Sequence, residues 1–142
     1  MLKKKKIILI VFGCVFTVIL LYLVSPVRIL VVNSRLIIVE VAKTRVQRQK
    51  GLQHRSCLKK NRGMLFIFKE EDFHSFWMKD TYIPLDIAFI DGNNTIVDIQ
   101  QMIPLDTQIR YKPAKAAKYA LEVNAGWMDE NNIQINDKVL FW

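Results

Sequence analysis

Four consecutive lysines, Lys3–Lys6, precede 18 uncharged residues, Ile7–Val24, and no other feature limits the possible architecture of this chain as strongly. As a helix those 18 residues would rise roughly 27 Å, close to the ~30 Å hydrocarbon core of a bilayer. The first expectation is therefore one transmembrane helix. The positive-inside rule keeps Lys3–Lys6 in the cytoplasm and sends everything after Val24 to the other side, which is the periplasm if the envelope is Gram-negative.

A cleaved signal peptide is the nearest alternative, but the run is long for one and Tyr22-Leu23-Val24-Ser25-Pro26 lacks a small-x-small cleavage site. Val11-Phe12-Gly13-Cys14 has the outline of a lipid-attachment box. Phe12 is too bulky for its place there, and the uncharged run continues for ten positions after Cys14. Cys14 and Cys57, one in the membrane segment and one in the exported part, make no disulfide framework, so stability must come from a hydrophobic core. The 107 residues from Leu36 to Trp142 suffice for one small core. The expected organisation is an anchor over residues 1–24, a short connector over 25–35 and a single domain over 36–142.

Of the 21 lysines and arginines, four belong to the anchor, and the remaining 17 stand against 13 acidic residues. Eight of them lie between Lys43 and Arg62, a window with no Asp or Glu. Such a block ordinarily suggests nucleic acid. An exported domain seldom meets any, so the expected partners are anionic lipid headgroups or an acidic envelope ligand, with a solvated helix face as the plain alternative.

Local signals predict an α+β domain. Its core is a mostly antiparallel, strongly curved and partly barrel-like sheet of six or seven strands, with two short helices. Leu36–Val41 is β-branched and reads as a strand. Thr44 with Gln47 three residues later forms a capping box, and Gly51 supplies a stop, which predicts a helix over Arg45–Lys50. Further strands are expected over Met64–Phe68, Ser75–Lys79, Leu85–Ile90, Thr95–Gln101, Tyr119–Val123 and Lys138–Trp142, with Lys69–Phe73 as a loop or single turn. Asp91-Gly92-Asn93-Asn94 marks a hairpin, and a helical turn is expected around Trp127–Asn131. The polar stretch Pro104–Pro113 is a long connection of the kind that carries binding residues.

Charge among aromatics marks the candidate site: Phe76-Trp77-Met78-Lys79-Asp80-Thr81 runs into Ile83-Pro84-Leu85-Asp86-Ile87. Together with Gly51-Leu52, Arg55, Gly63-Met64-Leu65-Phe66, Phe89-Ile90-Asp91, Tyr111, Leu121-Glu122 and Ala125-Gly126, this string resembles domain of unknown function 192 (DUF192, also UPF0127). That family comprises small bacterial and archaeal domains, often exported, with no established reaction. The resemblance implies the same fold over about Leu36–Leu140. Three departures stand out: Asp80 where Asn is usual, Gln53 where Met is usual, and Asn136 in place of a Gly whose left-handed conformation Asn tolerates.

The candidate ligand-binding residues are Arg55, Trp77, Lys79, Asp80, Asp86 and Asn124. Lys79 can present its charge to an acidic ligand, act as a base, or simply pair with Asp80, Asp86 or Glu122. Arg55 can fork a carboxylate. Asn124 and Gly126 precede the second helix, whose amides can hold an anion or merely be capped. Trp77 has the opposite parity to Phe76 and Met78, so it takes one face while they take the other. His54 and Cys57, three apart, suggest a weak cysteine nucleophile. Two histidines and one exported cysteine make a poor zinc set, so no metal or cofactor is expected. The leading reading is a membrane-anchored extracytoplasmic binding or accessory module. The alternatives are a small hydrolase-type envelope enzyme using Lys79 and Asp86 or Cys57, and a structural adaptor that binds a protein by its sheet edge.

Overall fold

The computed structural model describes residues 27–141; the anchor expected over residues 7–24 lies outside them. Among the described residues no helix is long and apolar enough to cross a membrane. Seven strands form one sheet: β1 (Val27–Val32), β2 (Arg35–Ala42), β3 (Arg62–Asp72), β4 (Leu85–Ile90), β5 (Ile96–Met102), β6 (Ala117–Asn124) and β7 (Val139–Phe141). Their order across the sheet is β5-β4-β6-β3-β2-β1-β7. All neighbours are antiparallel except β2 and β3, which α1 (Arg45–Lys50) links as a crossover. A bridge between Thr95 and Lys138 ties the start of β5 to the approach of β7, so the two ends of the order meet and the sheet curls into a partial barrel.

Local chemistry explains the best-predicted elements. Thr44 accepts the amide of Gln47, and the Gln47 side chain accepts the amide of Thr44, which closes the capping box at the start of α1. Gly51 ends that helix with a φ of 48°. At the Asp91 turn, the Asp91 carboxylate accepts the amides of Asn93 and Thr95. Asn136, with a φ of 79°, fills the left-handed position that suits glycine.

Three expectations change. The stretch assigned to a connector contains β1, joined to β2 by Asn33 and Ser34, both at positive φ, which is the two-residue hairpin geometry that follows strand twist. Lys69–Asp72, expected as a loop, continues β3: its side chains are exposed, and Asp72 still pairs with Ala117 beyond a register shift. Ser75–Lys79, expected as a strand, makes only one isolated β-bridge, Phe76 to Tyr111, and lies across the sheet as part of a cover whose Phe76 and Met78 pack into the core.

Strand alternation builds a core on each face, and the two cores position everything that follows. One face carries Val39, Leu65, Ala88, Ile90, Leu121 and Val123, packed against β1, β7 and α2 (Trp127–Glu130). The other carries Met64, Phe66, Leu85, Ile87, Phe89 and Ala120, covered by Leu52, Phe76, Met78, Ile83 and Tyr111. β4, central and covered on both sides, has all six residues buried. The two covering segments are joined by their backbones, with the Met78 amide donating to Asp106 and the Leu105 amide to Thr81.

Candidate functional site

The residues singled out from the sequence do not converge. Asp86 shares its face with Ala88 and Ile90, opposite to Leu85 and Ile87, whose face is covered by the segment that contains Lys79. The sheet therefore separates Asp86 from Lys79, and no ion pair joins them. Asp86 instead accepts the amides of Gly126 at 2.8 Å and Met128 at 3.5 Å, so the anion held at the start of α2 is supplied by the protein itself. Burial raises its pKa, those two amides oppose the rise, and Asp129 adds to it.

Each remaining candidate has a local occupation. Arg55 forms a two-pronged pair with Glu40, at 2.5 and 2.8 Å, which lowers the Glu40 pKa. Asn124 donates to the Leu58 carbonyl at 2.9 Å and thereby pins the 51–61 loop to β6. Asp80 holds a φ of 52° while its carbonyl accepts the His54 amide, a backbone duty that either Asn or Asp can perform. His54 and Cys57 lie beyond the end of α1, His54 with a φ of 62°, so helical spacing does not bring them together. Among the described residues no three His, Cys, Asp or Glu side chains group as metal ligands. Phe76 and Met78 are buried while Trp77 is 42% exposed, as its parity requires. Lys79 and Arg110 sit 5.5 and 4.8 Å from the centre of its ring.

The geometry singles out another residue, Glu122, on β6. Met64 and Ile87 flank it in register on the two neighbouring strands, so it points into the covered core on the α1 side. Its relative exposure is 5%. No described residue donates a hydrogen bond to its carboxyl, yet among the described residues no fully enclosed polar side-chain atom lacks a partner, so its oxygens open onto the adjoining pocket. Burial alone pushes its pKa up to about 8, which keeps it a neutral acid at pH 7.

That pocket, of about 220 Å³, lies between α1 and the covering segment. Leu52, Phe66, Phe68 and Phe76 give it apolar walls; Ser75, Trp77 and Thr81 line it from the cover, and Arg45, Arg48 and Lys50 from α1. Arg48 is preset: its Nη1 donates to the carbonyls of Lys43 and Ile67, and its guanidinium lies 5.0 Å from the centre of the Phe68 ring. Of the residues proposed from sequence, only Trp77 lines this pocket. Glu122 was visible as part of Leu121-Glu122 and as a possible partner for Lys79. The signal that would have found it is a lone glutamate set directly between the apolar residues Tyr119-Ala120-Leu121 and Val123 of one strand.

Comparison with known proteins places this arrangement. The model of DUF192, described as uncharacterized ACR, COG1430, matches residues 28–141. A UPF0127 protein of Pyrococcus abyssi is 29% identical over 106 residues, 71% of this chain and 83% of that protein. Two crystal structures superpose with a TM-score of 0.73 each. One, from Sinorhizobium meliloti 1021, is described as a candidate transcription regulator and is 32% identical, covering 81% of this chain and 91% of its own. The other, a protein of unknown function from Novosphingobium aromaticivorans DSM 12444, is 30% identical and covers 82% and 84%. With a family match over most of its length and the fold of these relatives, the chain belongs to the DUF192 family.

Proposed function

We propose that this protein is a membrane-anchored, extracytoplasmic binding module of the cell envelope, and that its ligand enters the pocket above Glu122. The observation that carries the binding site is the buried carboxyl of Glu122, which has no protein partner and opens only onto the pocket: a polar group so poorly solvated is costly, and a ligand hydrogen bond reduces that cost. The anchor rests on Lys3–Lys6 and the uncharged run Ile7–Val24, which ends three residues before β1 and so keeps the domain close to the bilayer. The basic side chains of α1 suit an acidic envelope ligand or anionic lipid headgroups.

One observation favours a second reading, a small envelope enzyme. A carboxylic acid with a pKa near 8 is suited to general acid catalysis. Its weakness is the absence of a poised nucleophile beside it: the pocket hydroxyls are Ser75 and Thr81, and Thr81 already donates to the Lys79 carbonyl. The adaptor reading would use the outer edge of β5, which the approach to β7 bridges only at its start, at Thr95 and Lys138.

Two experiments test the proposal. A reporter fused after Trp142 should be active only in the exported orientation; cytoplasmic activity would overturn the localisation and restore nucleic acid as a partner for Lys43–Arg62. Residues 27–142, which contain both cores, should gain thermal stability with at least one of a panel of envelope glycans, anionic lipids and peptides, and the gain should vanish in Glu122→Leu. A panel without any shift, or a shift equal in both proteins, would remove this pocket as the binding site.

A further inference from the structure

The walls and charges of the pocket restrict what can occupy it. At the inner end stands a carboxyl surrounded by Phe66, Phe76 and the sheet neighbours Met64 and Ile87. A ligand cation placed there would create a fully buried ion pair, with apolar walls that leave its remaining hydrogen-bonding positions unmet; the desolvation of both charges then weighs against the pair. A neutral carbonyl avoids this, because the protonated carboxyl donates to it. The charged side chains lining the pocket are Arg45, Arg48 and Lys50, all from α1; β3, β4, β6 and the covering segment contribute no other charged group than Glu122.

The outer end has the opposite character. Arg48 spends only Nη1 on backbone carbonyls, which leaves Nη2 and Nε available in a guanidinium already fixed against Phe68. Trp77 extends the aromatic wall to the mouth, with Lys79 and Arg110 against its ring. A volume of about 220 Å³ lies below the ~300–1,000 Å³ of sites for drug-sized molecules, so the occupant is of metabolite size.

On the basis of the binding role proposed above for this pocket, we infer that its ligand is a small amphiphilic acid: a neutral hydrogen-bond acceptor at Glu122, an apolar body between the phenylalanines and Trp77, and an anionic group at Arg48 and its basic neighbours. Recognition is thus polarised along the pocket. It weakens as the pH rises through about 8, because Glu122 then loses the proton that it donates.

Four aromatic probes of similar shape separate the charges: monomethyl terephthalate (ester and carboxylate), dimethyl terephthalate (neutral), methyl 4-(aminomethyl)benzoate (ester and ammonium) and 4-(aminomethyl)benzoate (zwitterion). Binding to residues 27–142 is read from amide NMR shifts of Leu52, Phe66 and Glu122, with the overall spectrum of each variant as a check on folding. Monomethyl terephthalate should bind at least tenfold more tightly than the other three. That binding should fall at least tenfold in Arg48→Gln and in Glu122→Leu, and stay within about threefold in Glu122→Gln, whose amide still donates. Preference for either ammonium probe, with loss in Glu122→Gln, would overturn the polarity while leaving the pocket as a binding site. No shift at these amides with any probe would overturn both.

Discussion

Replacing Glu122 by Gln should change how stability depends on pH, in a direction that only a buried neutral carboxyl produces. Unfolded, Glu122 titrates near 4.5; folded, near 8. Between those values the native state holds a proton that the unfolded state has released, so stability is fully present below pH 4.5 and is lost as pH rises toward 8. At 1.36 kcal/mol per pKa unit, the loss is about 5 kcal/mol as an upper bound, and about 3 kcal/mol if contact with the pocket hydrates the carboxylate. Either value is a large part of the ~5–15 kcal/mol that holds a domain folded. Glu122→Gln removes this term, so urea unfolding of residues 27–142 should give a difference between variant and wild type that tilts toward the variant from pH 5 to pH 9. Parallel stability profiles for the two proteins would refute the buried, neutral state of Glu122.

The other sites carry smaller consequences. Asp86→Ala strands the Gly126 and Met128 amides and should cost about 1–3 kcal/mol by chemical denaturation, whereas Lys79→Ala should stay within about 0.5 kcal/mol of wild type. The double variant should equal the sum of the two within about 0.5 kcal/mol; a larger coupling would mean that the two residues interact after all. In Gly63→Ala the new Cβ would lie 2.5 Å from the Glu122 carbonyl oxygen and 3.1 Å from Val123 Cγ1, so the central strands must part, and a melt should show a loss of about 1–3 kcal/mol. The Arg55–Glu40 pair is 32% and 45% exposed at its side chains, which limits Glu40→Gln to about 1 kcal/mol. Because the pair lowers the Glu40 pKa, its contribution should be present above pH 4.5 and vanish as acid protonates Glu40, a trend that a pH series on wild type and Glu40→Gln would show.

What was legible in the sequence was local. The capping box of α1, the Gly51 stop, the Asp91 turn and the outward parity of Trp77 each depend on residues within a few positions of one another, and each is present. β1 escaped because its signal, a two-residue Asn33-Ser34 turn, is weaker than the apolar run just before it, which draws the reading toward an anchor and a connector. The charges of Lys69–Asp72 point to a loop in the sequence, although an exposed strand end accepts charged side chains freely.

That the candidate residues do not converge has a related reason. Sequence spacing placed Lys79 and Asp86 seven residues apart in one aromatic motif, but whether they meet depends on the face each takes, and that follows from pairing with β5 and β6. Asp86, judged as a possible ligand contact, is the internal acceptor for the α2 amides. Glu122 acquires its importance from Met64 and Ile87 across the sheet and from α1 and Phe76 above it. Those neighbours come from distant parts of the chain, so no local window contains them.

The most direct measurement is the titration of Glu122 itself. With glutamate labelled at the side-chain carboxyl carbon, and Glu122→Gln used to assign the signal, NMR of residues 27–142 should show one glutamate with a midpoint near pH 8, shifting further upward when monomethyl terephthalate binds the protonated form. A Glu122 midpoint near 4.5 would contradict a neutral carboxyl at the base of the pocket, and with it the reason for placing a ligand there.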